Sequence, residues 1–357
     1  MIGYLLQKIA YAFFTLFGVV TVIFLLFNIL PGDPARMMLG QNETAEQVAI
    51  VKKKYAFDQP LSKQYAYYIN DLSPISLHSA NKKDYTYFSD KKYTGLKLFN
   101  VGESNVVIKT PYLRESFQKN GKKVSAVIAE TLPNTIVLAL SSITIAMILG
   151  VFLGIVSAKF KDSWTDKLIQ LVSTFGMSVP SFFSAILFAW FFGFLLHNYT
   201  GLNMTGSLYE VDDFGNGTKI QWKNLILPAL VLGIRPLAVV SQLMRNSLLE
   251  VLSADYIRTA KAKGLSEYTI IRKHALKNAM NPVVTAISGW FASMLAGAVF
   301  VEYIFGWNGL GKQIVDALNT LDLPVITGSV IVIASLFIVI NIFVDVIYGW
   351  LDPKIRN

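Results

Sequence analysis

The sequence predicts an all-α polytopic membrane protein with six transmembrane helices and one long polar insertion between the first and the second. Three observations predict it. Of 357 residues, 53% are hydrophobic and only 15% charged, with a mean hydropathy of +0.47, beyond the apolar share of a soluble domain. The apolar residues gather into runs long enough to cross a hydrocarbon layer, which takes roughly 20 residues. Lysine and arginine collect in alternate connections between those runs.

The first run is residues 9–30, stopped by Pro31-Gly32-Asp33-Pro34. It is too long for a signal-peptide core, and no small-residue cleavage site follows it. The others are residues 132–158, 168–196, 225–244, 283–301 and 325–351. An even number of spans leaves both termini on one side. Lys8, Lys159, Lys161, Lys167, seven basic residues within 245–277, Lys354 and Arg356 mark that side as cytoplasmic. The opposite short loops hold only Lys219, Lys223 and Lys312. The net charge of +9 is therefore mostly topological. Membrane lipid is an expected partner and nucleic acid is not.

The insertion, residues 31–123, falls on the outer side. Residues 43–72 read as helical with a break at Gln59-Pro60, and residues 73–121 are rich in Tyr, Lys, Asn, Asp and Ser, with short β-like patches such as 105–109. We expect a small extracytoplasmic cap without chemistry; a partly ordered loop is the alternative. The expected division is residues 1–30 (tail and first helix), 31–123 (cap) and 124–357 (a five-helix core with a cytoplasmic loop at 246–282).

Reaction chemistry finds little support. There is no cysteine, so disulfides and thiolate metal sites are excluded, and His78, His197 and His274 share no ligand spacing. Residues 306–312 fit the opening of a phosphate-binding loop, G-x-x-x-x-G-K. Gln313 follows where a hydroxyl is needed, and a membrane span precedes where a strand is needed. No metal, cofactor or nucleotide is expected on this chain, so energy must come from a partner.

The most informative stretch is residues 255–282, basic and amphipathic, between two apolar runs. In its first half Tyr256, Ile257 and Ala260 can share one face, with Arg258, Lys261 and Lys263 largely on others. Thr259 and Ala262 complete this half. Gly264 can adopt φ > 0 and end the helix. A second helix starts near Ser266, a plausible cap, and carries Ile270, Ile271, His274, Ala275 and Asn278; Leu276 lies within it. Pro282 opens the next span. The segment reads either as a dock for a cytoplasmic motor or as a basic hairpin on anionic headgroups.

At this point the residues resemble a family, the permeases of ATP-binding-cassette importers. Their cytoplasmic loop is expected to carry Glu-Ala-Ala, three residues, Gly, nine residues, then Ile-x-Leu-Pro. Arg258-Thr259-Ala260 takes the first place, Gly264 the glycine, and His274-Ala275-Leu276-Lys277 the last. These departures match the dipeptide, oligopeptide and nickel branch. Further along the chain the resemblance includes Pro31-Gly32-Asp33-Pro34, Leu132-Pro133-Asn134-Thr135, Val179-Pro180-Ser181-Phe182 and Leu227-Pro228-Ala229. It closes with Val301-Glu302-Tyr303-Ile304-Phe305, Gly309-Leu310-Gly311 and Asp352-Pro353-Lys354. Residues 73–123 look longer than in typical members.

The resemblance implies a type I importer permease in the cytoplasmic (inner) membrane, paired with a second homologous permease and seated on two ATPase subunits that use ATP and Mg. It also implies an extracytoplasmic binding protein or lipoprotein that delivers substrate. The chain would supply the pathway and the lever and would not be an enzyme. Peptides are the expected cargo, with nickel or a nickel chelate as the alternative. A secondary transporter is a minor alternative, lacking clear inverted repeats or mid-membrane acids. A receptor is another, with no signalling domain after the last span.

Charged residues in spans face cavities or partners. Arg235, before Pro236, either faces the pathway and attracts an anionic group such as a peptide carboxylate, or pairs with Glu302 or another subunit. Asp345 is expected to anchor the last helix. Pro180 is expected to bend the third span and help shape the pathway.

Overall fold

The computed structural model describes residues 2–29, 33–39, 44–119, 121–211 and 217–351. Pro31, Gly32, Glu43, Lys354 and Arg356 lie outside the described residues, as do Asp352-Pro353 and the side chain of Asp345. The chain divides into two compact units, one of residues 2–130 and 313–334, the other of residues 131–312 and 335–357.

In the first unit, α1 (Ile2–Ile29) is mostly apolar, with Gln7 and Lys8 near its start. Val20, Ile23 and Phe24, on one helical face, pack with Tyr68 and Ile331. After α2 (Pro34–Leu39), α3 (Ala45–Tyr55) opens with a capping box in which Thr44 and Gln47 satisfy each other's backbone amides. Ala56 turns left-handed and Pro60 opens α4 (Leu61–Leu72), so the expected break at Gln59-Pro60 is present. Strands β1 (Ile75–Ser79), β2 (Gly95–Val101) and β3 (Ser104–Lys109) form an antiparallel sheet of order β1-β3-β2. Residues 105–109 thus lie in the central strand of a folded domain. His78 and Val107 are buried from one face beside Phe88 and Tyr93. Ile75, Leu77, Leu96, Phe99 and Ile108 are exposed.

Beneath the sheet the Asp71 carboxylate is 1% exposed. It accepts hydrogen bonds from Tyr85 Oη (2.8 Å), Tyr93 Oη (2.9 Å) and Arg114 Nε (3.4 Å). A buried carboxylate is tolerated only with such partners.

The second unit is mostly helical; its elements follow in chain order, with residues 124–130 and 313–334 belonging to the first unit. α5 (Val124–Lys159) starts earlier than the run at 132, with Pro133 inside it. α6 (Trp164–Ser178) and α7 (Ser181–Phe188) follow, α7 running into a π-helical stretch Ala189–Leu195 and then α8 (His197–Thr200). A short hairpin of β4 (Tyr209–Val211) and β5 (Thr218–Ile220) leads to α9 (Lys223–Leu252), which continues past the expected end at 244. Next come α10 (Asp255–Ala262), α11 (Glu267–Thr269), a π-helical turn Ile270–Ala275 and α12 (Leu276–Ala279). The chain finishes with α13 (Asn281–Gly297), α14 (Val299–Phe305), α15 (Leu310–Asn319) and α16 (Leu323–Leu351).

Among the described residues four helices are long and apolar enough to span, or up to six if each of two bent pairs counts as one span. The bend expected at Pro180 in the third run is present, as a break between two helices. α6 and the helix beginning at Ser181 meet at 109°. Proline pushes the preceding residue out of the helical region, and Val179 is extended (φ −76, ψ 130). A second bend, of 51°, lies just before the fifth run, at the break between α12 and α13. α9 forms the core: Leu227, Val231 and Leu232 join Leu138 and Ile143 of α5, Ala185 of α7 and Leu295 of α13. Gly150 and Gly154 of α5 permit a close crossing, since a Cβ on either would lie under 3 Å from Val240 or Met244 of α9.

Candidate functional site

Residues 255–282, the coupling segment of the expected docking role, hang from the end of α9. Ile257 and Ala260 of α10 are buried, 0% and 6% exposed. They join Val240, Met244 and Leu248 of α9 and Ala158 of α5 in one apolar cluster. Arg258, Thr259, Lys261, Ala262 and Lys263 are exposed. Tyr256 does not share the buried face as the pattern suggested. It is 45% exposed, and its hydroxyl accepts from Asn278 Nδ2 at 2.9 Å. Ile257 and Ala260, three apart, meet the cluster, while Tyr256, about 100° round the helix from Ile257, does not.

Gly264 adopts φ +75, and a Cβ there would meet nothing within 4 Å. Glycine is needed for the backbone conformation alone. Ser266 caps α11 by accepting from the Thr269 amide. The π-helical turn then spaces the buried residues unevenly: Ile270, Ala275 and Ala279 face the cluster, while His274 and Asn278 are exposed and Leu276 is half-buried. A regular α-helix would have placed 270, 274 and 278 together. Arg272, Lys273 and Lys277 point to solvent. The result is a basic, exposed ridge on an apolar foundation.

One supporting contact was missed by the sequence reading. Arg245 of α9 forms a two-pronged ion pair with Asp166 of α6 (Nε–Oδ1 2.8 Å, Nη2–Oδ2 2.6 Å). Ser157 Oγ and the Asp162 amide also donate to that carboxylate, at 2.5 and 2.9 Å. This fixes the α5–α6 turn to the helix from which the coupling segment hangs. The Ser163-x-x-Asp166 spacing before an apolar helix was the available signal.

The pathway candidates are placed separately. Arg235 is exposed, and its Nε donates to the Met177 carbonyl in the last turn of α6 at 3.4 Å. Pro180 sits two residues beyond that helix and caps α7. Glu302 does not pair with Arg235, as one reading allowed. It is fully buried and accepts from the amides of Gly311 (2.7 Å) and Lys312 (3.1 Å). The turn that imitates a phosphate-binding loop thus holds the chain's own carboxylate. A Cβ on Gly309 would collide with that carboxylate. Around it, Trp307 Nε1 donates to the Asn134 carbonyl (3.1 Å), Asn134 Nδ2 to the Asn308 carbonyl (2.7 Å), and the Leu310 amide to Thr135 Oγ1 (2.8 Å). Two motifs distant in sequence are one knot in space.

Residues 150–357 match the model of the binding-protein-dependent transport system inner membrane component, and residues 1–77 match the model of its N-terminal part. The chain belongs to this family. It is an importer permease of the ATP-binding-cassette class, a membrane subunit and not an enzyme.

The permease is 31% identical over 369 residues to the dipeptide transport system permease protein DppB of Alkalihalophilus pseudofirmus, covering 100% of both chains. It is 33% identical over 356 residues to the glutathione transport system permease protein GsiC of Escherichia coli (strain K12), covering 100% of itself and 99% of that protein. Among solved structures it resembles the inward-facing MetNI methionine ABC transporter, with a TM-score of 0.52 and 14% identity over 64% of this permease and 97% of that chain. That likeness concerns fold alone. The coupling segment, Arg235 and residues 302–312 of the Glu302 knot fall within the 150–357 match, whereas Asn134 and Thr135 of that knot, and β2 and β3, fall between the two matched ranges.

Proposed function

We propose that the permease is a transmembrane subunit of an ATP-driven peptide importer, forming the pathway with a second homologous permease. The observation that carries this is the coupling segment: α10 is anchored by Ile257 and Ala260 and leaves Arg258, Lys261 and Lys263 exposed. A rigid basic ridge fixed to a membrane-crossing helix suits a groove on a moving partner. In this reading two cytoplasmic ATPases hold the segment from Tyr256 to Gly264, with His274 and Leu276 supporting it from the second helix. Their ATP-driven closure turns the pathway outward, and an extracytoplasmic binding protein or lipoprotein delivers the cargo. Both termini and the coupling segment are cytoplasmic, and residues 31–123 form an extracytoplasmic cap.

Peptide as cargo is supported by relatives named for dipeptide, peptide and glutathione transport; none of these is named for nickel. Arg235 is assigned to the pathway, where its exposed guanidinium can attract a peptide carboxylate, and Pro180 to shaping the wall beside it.

The test is a gentle-detergent purification from the native membrane, followed by reconstitution and uptake of labelled dipeptide. Co-purification of an ATPase and a second permease, with uptake that requires ATP, is expected. Recovery of the chain alone, or uptake without ATP, would overturn the proposal. In the same assay Arg235→Gln is expected to slow uptake about tenfold with assembly intact, a cost of about 1.4 kcal/mol; unchanged uptake removes Arg235 from the pathway.

A further inference from the structure

Between the end of α3 and the segment joining β1 to β2 lies a cleft of about 590 Å³. Its wall is cationic: Lys53, Lys54, Lys82, Lys83, Lys91 and Lys92 line it against two carboxylates, Asp84 and Glu115. Asp84 already accepts from Ser79 Oγ at 2.6 Å. Lys82, Lys83 and Lys91 are exposed and make no ion pair among the described residues. Arg114 also lines the cleft, but its Nε is committed to Asp71. The remaining wall is largely aromatic, from Tyr55, Tyr85, Tyr87 and Tyr112, all half-buried. Lys92 is held in place, donating to the Tyr85 carbonyl (3.2 Å) with its ammonium 3.6 Å from the centre of that ring.

Like charges crowded into a concavity repel one another and raise the local concentration of anions. The ammonium group is a point charge without the planar fork of arginine. Separate lysines around a rim therefore suit several separated anionic groups better than one planar group. The volume lies within the roughly 300–1,000 Å³ of small-ligand sites. Tyrosine faces offer contact area for main chain and side-chain stems at low entropic cost.

We propose that this cleft binds short acidic peptides, their carboxylates on Lys82, Lys83 and Lys91 and their backbone against the tyrosines. The choice of peptide over other polyanions rests on the peptide-import reading. The cleft would then concentrate acidic cargo on the cap, a preference set outside the six spans.

The experiment is equilibrium binding of dye-labelled tetraglutamate to the full chain in nanodiscs of neutral lipid. Saturable binding is expected for tetraglutamate and none for tetralysine. The combined Lys82→Glu, Lys83→Glu, Lys91→Glu variant should weaken binding about tenfold or more. The matching Lys→Arg variant should retain it, showing that charge rather than a damaged fold is responsible. Three results would overturn the proposal: equal binding by wild type and the glutamate variant, binding of tripolyphosphate that excess tetraglutamate does not displace, or charge-sensitive binding of an acidic protein where the tetrapeptide fails. The assay contains no ATPase and no transport step. A failure of ATP-driven uptake would therefore count against the import reading and leave this result standing.

Discussion

The coupling segment and the cap cleft carry similar positive charge on opposite curvatures. In the first, Lys261, Lys263, Arg272 and Lys273 stand out from helices whose other side, Ile257, Ala260, Ile270 and Ala275, is sunk in an apolar cluster. In the second, lysines ring a hollow walled by tyrosines, and near it lies a buried polar network around Asp71. A convex basic ridge fits into something; a concave basic rim receives something. The exposed cations contribute little to stability in either place. What differs is the foundation, apolar in one and polar in the other, and the two should fail in different ways.

The largest expected effect comes from removing the polar foundation. Asp71→Asn keeps the shape but leaves Arg114, whose side chain is only 20% exposed, without its counter-charge. It also turns an amide NH₂ toward one of the two phenol donors, which sit on different carboxylate oxygens. Breaking a buried pair in this way costs about 3–5 kcal/mol. In membrane-embedded protein, trypsin should then cut rapidly within residues 82–92, while cleavage in the coupling segment stays at its wild-type rate. A cap that remains protected would mean that the apolar sheet contacts suffice.

The apolar foundation is tested by Ile257→Ala. Deleting a buried isoleucine to its Cβ costs about 2–5 kcal/mol, here concentrated on one short helix. ATP-driven uptake should fall steeply, with tetraglutamate binding at the cap unchanged. Ala260 also belongs to this foundation, because it faces inward. A charge placed there would detach the helix before it could disturb a partner. Exposed Arg258 and Lys261 are the positions that probe docking itself.

How much of this was legible in the sequence follows from the range of each interaction. The six apolar runs could be read because burial in lipid requires length and composition alone. Gly264 and the Ser266 cap could be read because each answers a local backbone demand. The 109° break at Pro180 was legible only as a disturbance: proline forbids a helical Val179, but packing sets the angle. The π-helical turn at 270–275 left no mark, since it adapts one helix to the surface of α9. Asp166 with Arg245, Glu302 with the Gly311 amide and Asp71 with Tyr93 each join segments that no periodicity relates. In the sequence Glu302 is only one alternative partner for Arg235. The structure gives it backbone amides instead.

A smaller effect is expected at the hinge of the coupling segment. Gly264→Ala meets no steric obstacle, so its cost is the left-handed backbone alone, about 1–2 kcal/mol. Uptake should drop several-fold. Gly264→Asn, which tolerates this conformation better, should recover part of it. If alanine were as good as glycine, the turn would not be holding α10 against its partner.

The smallest effect separates the foundations by pH. Burial lowers both Lys92 and Lys109 to about 8, against the opposing pull of Asp71. Between pH 8 and the ordinary lysine value of 10.5 the unfolded cap therefore binds more protons than the folded one, and folding stability rises with pH across that window. The phenols act in the opposite sense. Burial holds Tyr85, Tyr93 and Tyr112 protonated above the usual value of 10.0. Above that value the unfolded chain gives up protons that the folded one keeps, and stability falls. The temperature at which the cap loses protection from a brief thermolysin pulse, normalised at each pH to cleavage of the coupling segment, should climb slightly to about pH 9.5 and drop beyond about 10.5. A steady decline from pH 7.5 would show that the lysine charges themselves hold the cap together, and the polar foundation would then extend outward from Asp71 to the rim of the cleft.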